Sequence, residues 1–243
     1  MKFAVIGGTG LIGSQVVEDL RAAGHDVVAH SRSTGVDIIT GQGVEEALAG
    51  ADVVVDLTNS PTFDEASLAF FQTSMGNLLA AAEKAGIGHF VLLSIVGVDQ
   101  VPGLDYYRAK TLQEDLLKAG PVSYSIVRAT QFMEFIDSVL SWTADEDTVR
   151  LPVTLLQPVA AADVAATVAQ VAAGAPLNRT LDLGGPDTYP LNELGRITLA
   201  AKGDSRTVTV DNNAGIFSAV TGDVLTTKDG ARIAPTHYAD WLK

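Results

Sequence analysis

Short apolar runs alternate with amphipathic stretches along most of the chain. "KFAVIG" (2–7) has the length and composition of a strand, and "LIGSQVVEDLRAAG" (11–24) that of a helix ending at Gly24. "HDVVAHS" (25–31) is a second strand. "GVDII" (35–39) and "ADVVVDLTNS" (51–60) are two more, separated by the short helical "GVEEALAG" (43–50). A long helix is expected over about 63–85, a fifth strand at "HFVLLSIVG" (89–97), a helix over 104–119 and a sixth strand at "VSYSIVRAT" (122–130). The strands read as nearly continuous apolar runs, as strands buried on both faces do. The order predicts an α/β fold with a doubly wound parallel sheet and helices on both faces. Beyond residue 145 the pattern loosens. "DVAATVAQVAAG" (163–174) and "LNELGRITLAA" (191–201) read as helices, "RTLDLGG" (179–185) as a strand, and the last 40 residues carry mixed signals. The expectation is one domain, with a core over about 1–145 and a small C-terminal substrate lobe over about 146–243.

Composition narrows the function classes. Of 243 residues, 47% are hydrophobic and 19% charged, enough apolar material for a full core. The formal net charge of -13, with no basic stripe, argues against a nucleic-acid partner. With no cysteine, neither disulfides nor thiol catalysis is available. No apolar run of membrane-spanning length occurs, so no membrane association is expected. Met1 runs straight into the first strand without a basic leader region, so the expected location is cytoplasmic. His25, His30, His89 and His237 lack ligand spacing, so no metal is expected. The acidic "ADEDT" (144–148) reads as a solvated loop, and Asp163 as a cap or first-turn residue.

Two local signals carry chemistry. "GGTGLIG" (7–13) joins the first strand to the first helix, and Gly8, Gly10 and Gly13 fit G-x-G-x-x-G. Small residues there let backbone approach a pyrophosphate, and the helix N-terminus offers unpaired N–H groups. Gly7, Gly8, Thr9, Gly10, Leu11, Ile12 and Gly13 are therefore candidate cofactor-binding residues, although tight βα turns also occur in proteins that bind no nucleotide. At the end of the second strand, where NAD enzymes place a carboxylate, stands "HSRST" (30–34). Arg32 can fork onto a 2'-phosphate with Ser31 and Ser33 beside it, which points to NADP(H). The same arginine could be a solvated loop residue. Asp37 could accept from the adenine amino group or simply begin a strand. Asn59 and Ser60 end the fourth expected strand beside the cofactor cleft.

The ordered set "GGTGLIG", "HFVLLSIVGVD", "YYRAK", "YSIVRATQFMEF", "QPVAAADVA" and "LDLGGPDTYPLNEL" resembles the atypical short-chain dehydrogenase/reductase superfamily, in its NmrA-like NAD(P)-binding branch. The resemblance covers nearly the whole chain. It implies a Rossmann-like fold, a nicotinamide cofactor and hydride transfer to or from a small organic substrate, carbonyl or quinone-like. It equally implies a rival: a non-enzymatic NADP(H)-sensing regulator acting through a protein partner. A sugar-nucleotide epimerase-like activity is a weaker third reading.

The resemblance also assigns roles. Tyr106 would give a proton to the carbonyl oxygen, Lys110 would bind the nicotinamide ribose and lower the phenol pKa, and Ser94 would steady the oxyanion. Tyr107 is a rival phenol. From their place after the sixth strand, at the sheet's carboxyl edge, Thr130 is expected at the cofactor and Gln131 and Phe132 in the substrate pocket, with a plain core position as the alternative for Phe132. On a helical wheel Tyr106, Lys110, Gln113 and Leu117 form one stripe, with Ala109, Leu112 and Leu116 a quarter-turn away as the expected core face. Three departures leave the relay incomplete. Ile95 and Val96 follow Ser94 where a second hydroxyl is common, Thr73 stands at a usual asparagine place with Asn77 a turn later, and Ala129 replaces a frequent proline.

Overall fold

The computed structural model describes residues 1–220 and 222–243. In chain order the strands are β1 (Lys2–Ile6), β2 (Asp26–His30), β3 (Val53–Asp56), β4 (His89–Ile95), β5 (Tyr124–Ala129), β6 (Thr148–Leu151), β7 (Leu155–Leu156), β8 (Thr180–Gly184), β9 (Tyr189–Pro190), β10 (Thr207–Val210) and β11 (Arg232–Ile233). The helices are α1 (Leu11–Ala22), α2 (Val44–Leu48), α3 (Ala66–Ala85), α4 (Asp105–Ala119), α5 (Ile136–Trp142), α6 (Ala161–Ala173), α7 (Leu191–Ala201) and α8 (Tyr238–Trp241). A seven-stranded sheet runs in the order β11-β8-β5-β4-β3-β1-β2. The Rossmann-like α/β class expected from the sequence is therefore the one observed.

The chain divides into two compact units. The first holds Met1–Ser94, Asp105–Arg128 and Val164–Leu181; the second holds Ile95–Leu104, Ala129–Asp163 and Asp182–Lys243. Residue 145, the expected boundary, falls inside the second unit.

In the first unit β1 pairs parallel with both β2 and β3, and β3 with β4. Because β1 is flanked by β2 on one side and β3 on the other, strand order reverses here. In open α/β sheets this switch point is where the carboxyl ends of the strands leave room for a ligand. Phe3 and Val5 alternate with Ala4 and Ile6 along β1, and all four are buried, so both sheet faces are covered. Ala4, Ile6, Val54, Leu92 and Ile126 from the strands meet Val44, Leu48, Met75, Leu78 and Leu117 from the helices in one core cluster.

The second unit pairs β10 with β6 in parallel, β7 with β9 antiparallel, and β11 with the end of β8 through Arg232 opposite Leu183 and Ile233 opposite Gly184.

Two expectations need correction. "GVDII" is not a strand. The Asp37 carboxylate accepts from the Ile39 and Thr40 amides at 2.8 and 3.3 Å, and Asn77 Nδ2 donates to the Ile38 and Ile39 carbonyls at 2.8 and 3.1 Å. These side chains take the backbone groups that a sheet ladder would need. The expected core face of α4 is also displaced. Lys110, Gln113 and Leu117 are buried together with Tyr107, Ala109 and Glu114, while Leu112 and Leu116 are only partly buried.

Candidate active site

The glycine loop is shaped by close backbone approach. Gly7 has φ +78°, and the Gly7 and Gly8 amides donate to the His30 carbonyl at 2.9 and 3.2 Å, tying the loop to the end of β2. A Cβ on Gly13 would lie 2.1 Å from the Gly7 carbonyl oxygen and 2.7 Å from Gly8 Cα. Only glycine lets α1 start this close to the loop. Gly10 caps α1 with no side-chain hydrogen bond to the first turn, so the Leu11, Ile12 and Gly13 amides keep the orphan donors of a helix start. Thr9, Gly10 and Leu11 are exposed. Gly7 also abuts the Leu57 carbonyl at the end of β3, 3.0 Å from where its Cβ would be. The loop and the "LTNS" segment are therefore neighbours at the switch point.

The discriminating segment after β2 is a short 3-10 turn over Arg32–Thr34. The Ser31 amide donates to Thr34 Oγ1 at 2.8 Å, and the Ser31 and Ser33 hydroxyls lie 2.8 Å apart. The Arg32 side chain is 70% exposed and its Nε stands 3.8 Å from Asp37 Oδ2. Hydrogen bonds from Ile39, then from Thr40, with the Arg32 charge, hold the Asp37 carboxyl below its usual range. Burial lowers the His30 imidazole, and its Nε2 is buried without a partner among the described residues.

At the start of α4, the Tyr106 hydroxyl donates to Asn59 Oδ1, and its ring sits edge-on to Phe63 at 4.9 Å. Burial, then the neighbouring Tyr107, pushes the Tyr106 phenol above its ordinary value, only partly offset by Asn59. No hydrogen bond joins Tyr106 to Lys110 or Ser94 among the described residues.

Lys110 is 3% exposed and faces inward. Its ammonium donates to the Leu93 carbonyl at 2.9 Å and to Gln113 Oε1 at 2.5 Å, and lies 5.0 Å from the centre of the Phe71 ring. Gln113 Nε2 in turn donates to Asp56 Oδ2 at 3.1 Å, while Asp56 Oδ1 accepts from the Thr58 amide and hydroxyl at 3.0 and 2.7 Å. Burial draws Lys110 down to about 8, against the opposing charges of Asp56 and Glu114, and pushes Asp56 upward. Next to this chain, Glu114 receives Arg128 Nε at 2.8 Å and Nη2 at 2.7 Å, with Lys118 at 3.0 Å. Burial opposes ionisation of Glu114, but the Arg128 bonds, then Ser94, hold it below the usual carboxylate range. The Ser94 hydroxyl is buried without a well-formed hydrogen bond among the described residues.

The structure brings Asn59 and Tyr106 together, a pairing the sequence reading did not make, and adds Asp56, Gln113, Glu114 and Arg128, which it missed. Asp56 had a signal: a carboxylate closing the fully buried run "VVVD". Ser60, expected at the cofactor, is buried and accepts from Ser67 Oγ at 3.1 Å and the Thr62 amide at 3.4 Å, tying down its own loop. Asn77, the shifted candidate for the assisting asparagine, is spent on the 38–39 carbonyls.

In the second unit, the Thr130 hydroxyl donates to the Gln157 carbonyl at 2.5 Å, and Phe132 bridges to Val159. Gln131 is buried, and its Oε1 and Nε2 have no hydrogen-bond partner among the described residues.

Residues 7–174 match the sequence model described as NAD(P)H-binding, more than half of the chain. The chain belongs to the NAD(P)H-binding family. The matched span starts on the glycine loop and takes in every first-unit group described above. Photosystem II assembly factor Ycf39 of Synechocystis is 29% identical over 174 residues, covering 61% of this chain and 53% of that protein. Divinyl chlorophyllide a 8-vinyl-reductase of Cucumis sativus is 27% identical over 219 residues, covering 75% and 52%. The match therefore spans about half the length of these relatives. The fold resembles the Escherichia coli NADPH-dependent quinone oxidoreductase QOR2 in complex with NADPH, with a TM-score of 0.68 and 19% identity over 87% of this chain and 78% of that one. A nicotinamide dinucleotide is the family's ligand, and the Gly13 approach and the uncapped first turn of α1 are a cradle of the right chemistry for its pyrophosphate. Among the described residues no acidic or histidine cluster could hold a metal, and no helix is long and apolar enough to cross a membrane.

Proposed function

We propose that this protein is an NADP(H)-dependent oxidoreductase acting on a small organic carbonyl or quinone-like substrate. The observation that carries the cofactor choice is the end of β2. It presents no free carboxylate but an exposed guanidinium, Arg32, between two hydroxyls, Ser31 and Ser33. That set suits a 2'-phosphate and not a bare ribose diol. The glycine loop and the first turn of α1 would hold the pyrophosphate, with Asn59 beside them at the sheet's carboxyl edge.

When bound, the dihydronicotinamide supplies a hydride at C4. The chain's part is the proton. A phenol is already neutral at working pH and burial raises this one further, so the Tyr106 Oη carries the proton that a carbonyl oxygen would take as hydride reaches the carbonyl carbon. Asn59 orients that hydroxyl. Lys110 then acts as a brace under α4 and not as the charge that tunes the phenol. The quinone oxidoreductase and the vinyl reductase among its likenesses support a reductase.

A second reading is favoured by one observation: among the described residues burial, Tyr107 and Asn59, and not a cation, shift the Tyr106 phenol, whereas a cation is the usual source of an activated phenol. A sensor that reports NADP(H) occupancy to a protein partner needs no such activation, and the assembly factor among the relatives is in keeping with that role. Turnover decides. NADPH oxidation should be measured with a panel of quinones and aldehydes. With Tyr106 as the acid, Tyr106→Phe should lower turnover of a carbonyl substrate by roughly 10²–10⁴-fold with NADPH affinity almost intact. Unchanged turnover would remove Tyr106 from the reaction, and no turnover on any substrate, with tight NADPH binding, would favour the sensor.

A further inference from the structure

Among the described residues of the first unit, four large apolar side chains are exposed: Met1, Leu11, Val28 and Phe63. Met1 precedes β1 and Val28 lies within β2. Leu11 and Phe63 instead follow the carboxyl ends of β1 and β3, where a Rossmann-like sheet receives its ligands. Leu11 opens α1 beside the glycine loop, the place proposed for the pyrophosphate. Phe63, 48% exposed, stands on the connection that also carries Asn59.

A single exposed phenylalanine on a loose loop means little. This one is held on both sides. Before it, the Thr62 carbonyl accepts from the buried Ser67 hydroxyl at 2.7 Å, and the Thr62 hydroxyl donates to Asp64 Oδ1 at 2.8 Å. After it, Asp64 Oδ1 accepts from the Ala66 amide at 3.0 Å and the Asp64 carbonyl from the Ser67 amide at 3.0 Å, which ties the loop to the start of α3. The ring is held as well. It meets Tyr106 edge-on, with centroids 4.9 Å apart and planes at 71°. Tyr106 leans on Phe71 at 6.3 Å, and Phe71 is fully buried with the Lys110 ammonium 5.0 Å from its centre. An aromatic column thus runs from the core to the surface. Its outermost ring borders the phenol that carries the proton in the proposed reaction.

We propose that Phe63 is a specificity-determining residue whose exposed ring stacks on a flat conjugated ring of the substrate, an aryl ketone or a quinone, and so sets that substrate's carbonyl beside the Tyr106 hydroxyl. Paired aromatic rings lie about 4.5–7 Å apart between centroids, the same reach that separates Phe63 from Tyr106, so a ring laid on Phe63 borders the phenol. A saturated ring of the same size is puckered and has no π face. It keeps its apolar area but loses the stacking contribution, which is the source of discrimination. The inference deepens the oxidoreductase reading by choosing flat aromatic carbonyls over aliphatic ones, and it rests on that reading only for the ligand being a substrate.

The test uses the full chain saturated with NADP+, so that no ketone is reduced, and two matched methyl ketones, acetophenone and cyclohexyl methyl ketone. Acetophenone should bind roughly three- to ten-fold more tightly, the discrimination of one aromatic pair. With 13C-labelled phenylalanine it should also move ring signals that Phe63→Leu deletes. Phe63→Leu keeps apolar bulk and removes the π face. It should erase the preference, leave cyclohexyl methyl ketone binding as before and hold Tm, whereas Phe63→Tyr should keep the preference. Equal binding of the two ketones, a preference that survives in Phe63→Leu, or one lost in Phe63→Tyr as well, overturns the proposal. So does the absence of saturable acetophenone binding at millimolar concentration. If NADP+ alone moves the Phe63 signals and Phe63→Leu weakens NADP+, the ring serves the cofactor and the assignment to substrate fails. Should Phe63→Leu not fold, the ketone comparison in the unaltered chain and in Phe63→Tyr still decides. A ketone preference intact without NADPH oxidation on any substrate would strike the oxidoreductase reading alone.

Discussion

Arg32→Ala tests the proposed 2'-phosphate contact because, among the described residues, the side chain has little else to do. It is 70% exposed, and its ion pair to Asp37 is long at 3.8 Å. An exposed pair of that kind contributes about 0–1 kcal/mol, so the substitution should leave Tm nearly unchanged. Losing a charge-assisted, forked contact to phosphate costs about 1.5–3 kcal/mol. NADPH should therefore bind roughly ten- to a hundred-fold more weakly, and NADH almost as before. Asp37 sharpens the case. Its carboxylate shares the guanidinium, so Asp37→Asn should tighten NADPH by a few-fold without touching the glycine loop. Calorimetric titration of both cofactors into the unaltered chain and the two variants, at one fixed salt concentration because the contact is screened, measures these constants. An equal loss for NADPH and NADH in Arg32→Ala would refute the assignment, since a residue that reads only the 2'-phosphate cannot affect a cofactor that lacks it.

Gly13→Ala drives a Cβ to 2.1 Å from a backbone oxygen and should cost about 1–3 kcal/mol in stability by urea unfolding, together with most of the NADPH affinity. Gly10→Ala is the control: its Cβ would meet only the Gly7 carbonyl, at 3.4 Å, so its Tm should hold, and a matching loss there would show that the helix start is not set by Gly13. The Lys110 ammonium titrates near 8 in the folded chain against 10.5 unfolded, so between those values the unfolded chain binds the extra proton and stability rises with pH. Relative to Lys110→Met, the unaltered chain should gain on the order of 2–3 kcal/mol from pH 7.5 to pH 10.5. A flat difference would mean that Lys110 is not buried as a charge.

The strand–helix order and the glycine loop were legible in sequence because both are local: a buried strand is an apolar run, and a helix start this close to its strand demands glycine. What failed was nonlocal. "GVDII" has a strand's composition, yet Asn77, some forty residues on, takes its carbonyls. β11 is two residues long and has no periodicity to read. Along α4 the wheel assumed that apolar means buried. Lys110, Gln113 and Glu114 are buried instead because Leu93, Asp56 and Arg128, all on other elements, satisfy them. Likewise, that Tyr106 would meet Asn59 could not be deduced from residues 47 apart.

The burial of Lys110 bears on what "YYRAK" can do. For its ammonium to reach a cofactor ribose it would have to leave the Leu93 carbonyl and Gln113, two bonds to a charged group worth roughly 1.5–3 kcal/mol each. It would also leave Asp56 buried with one fewer opposing charge, when burial already pushes that carboxyl upward. A ribose diol, a neutral acceptor, returns about one such bond. The balance keeps Lys110 inside. On the proposed reading the phenol of Tyr106 is then left to carry the proton, and burial, Tyr107 and Asn59 shift its acidity rather than the lysine four residues on.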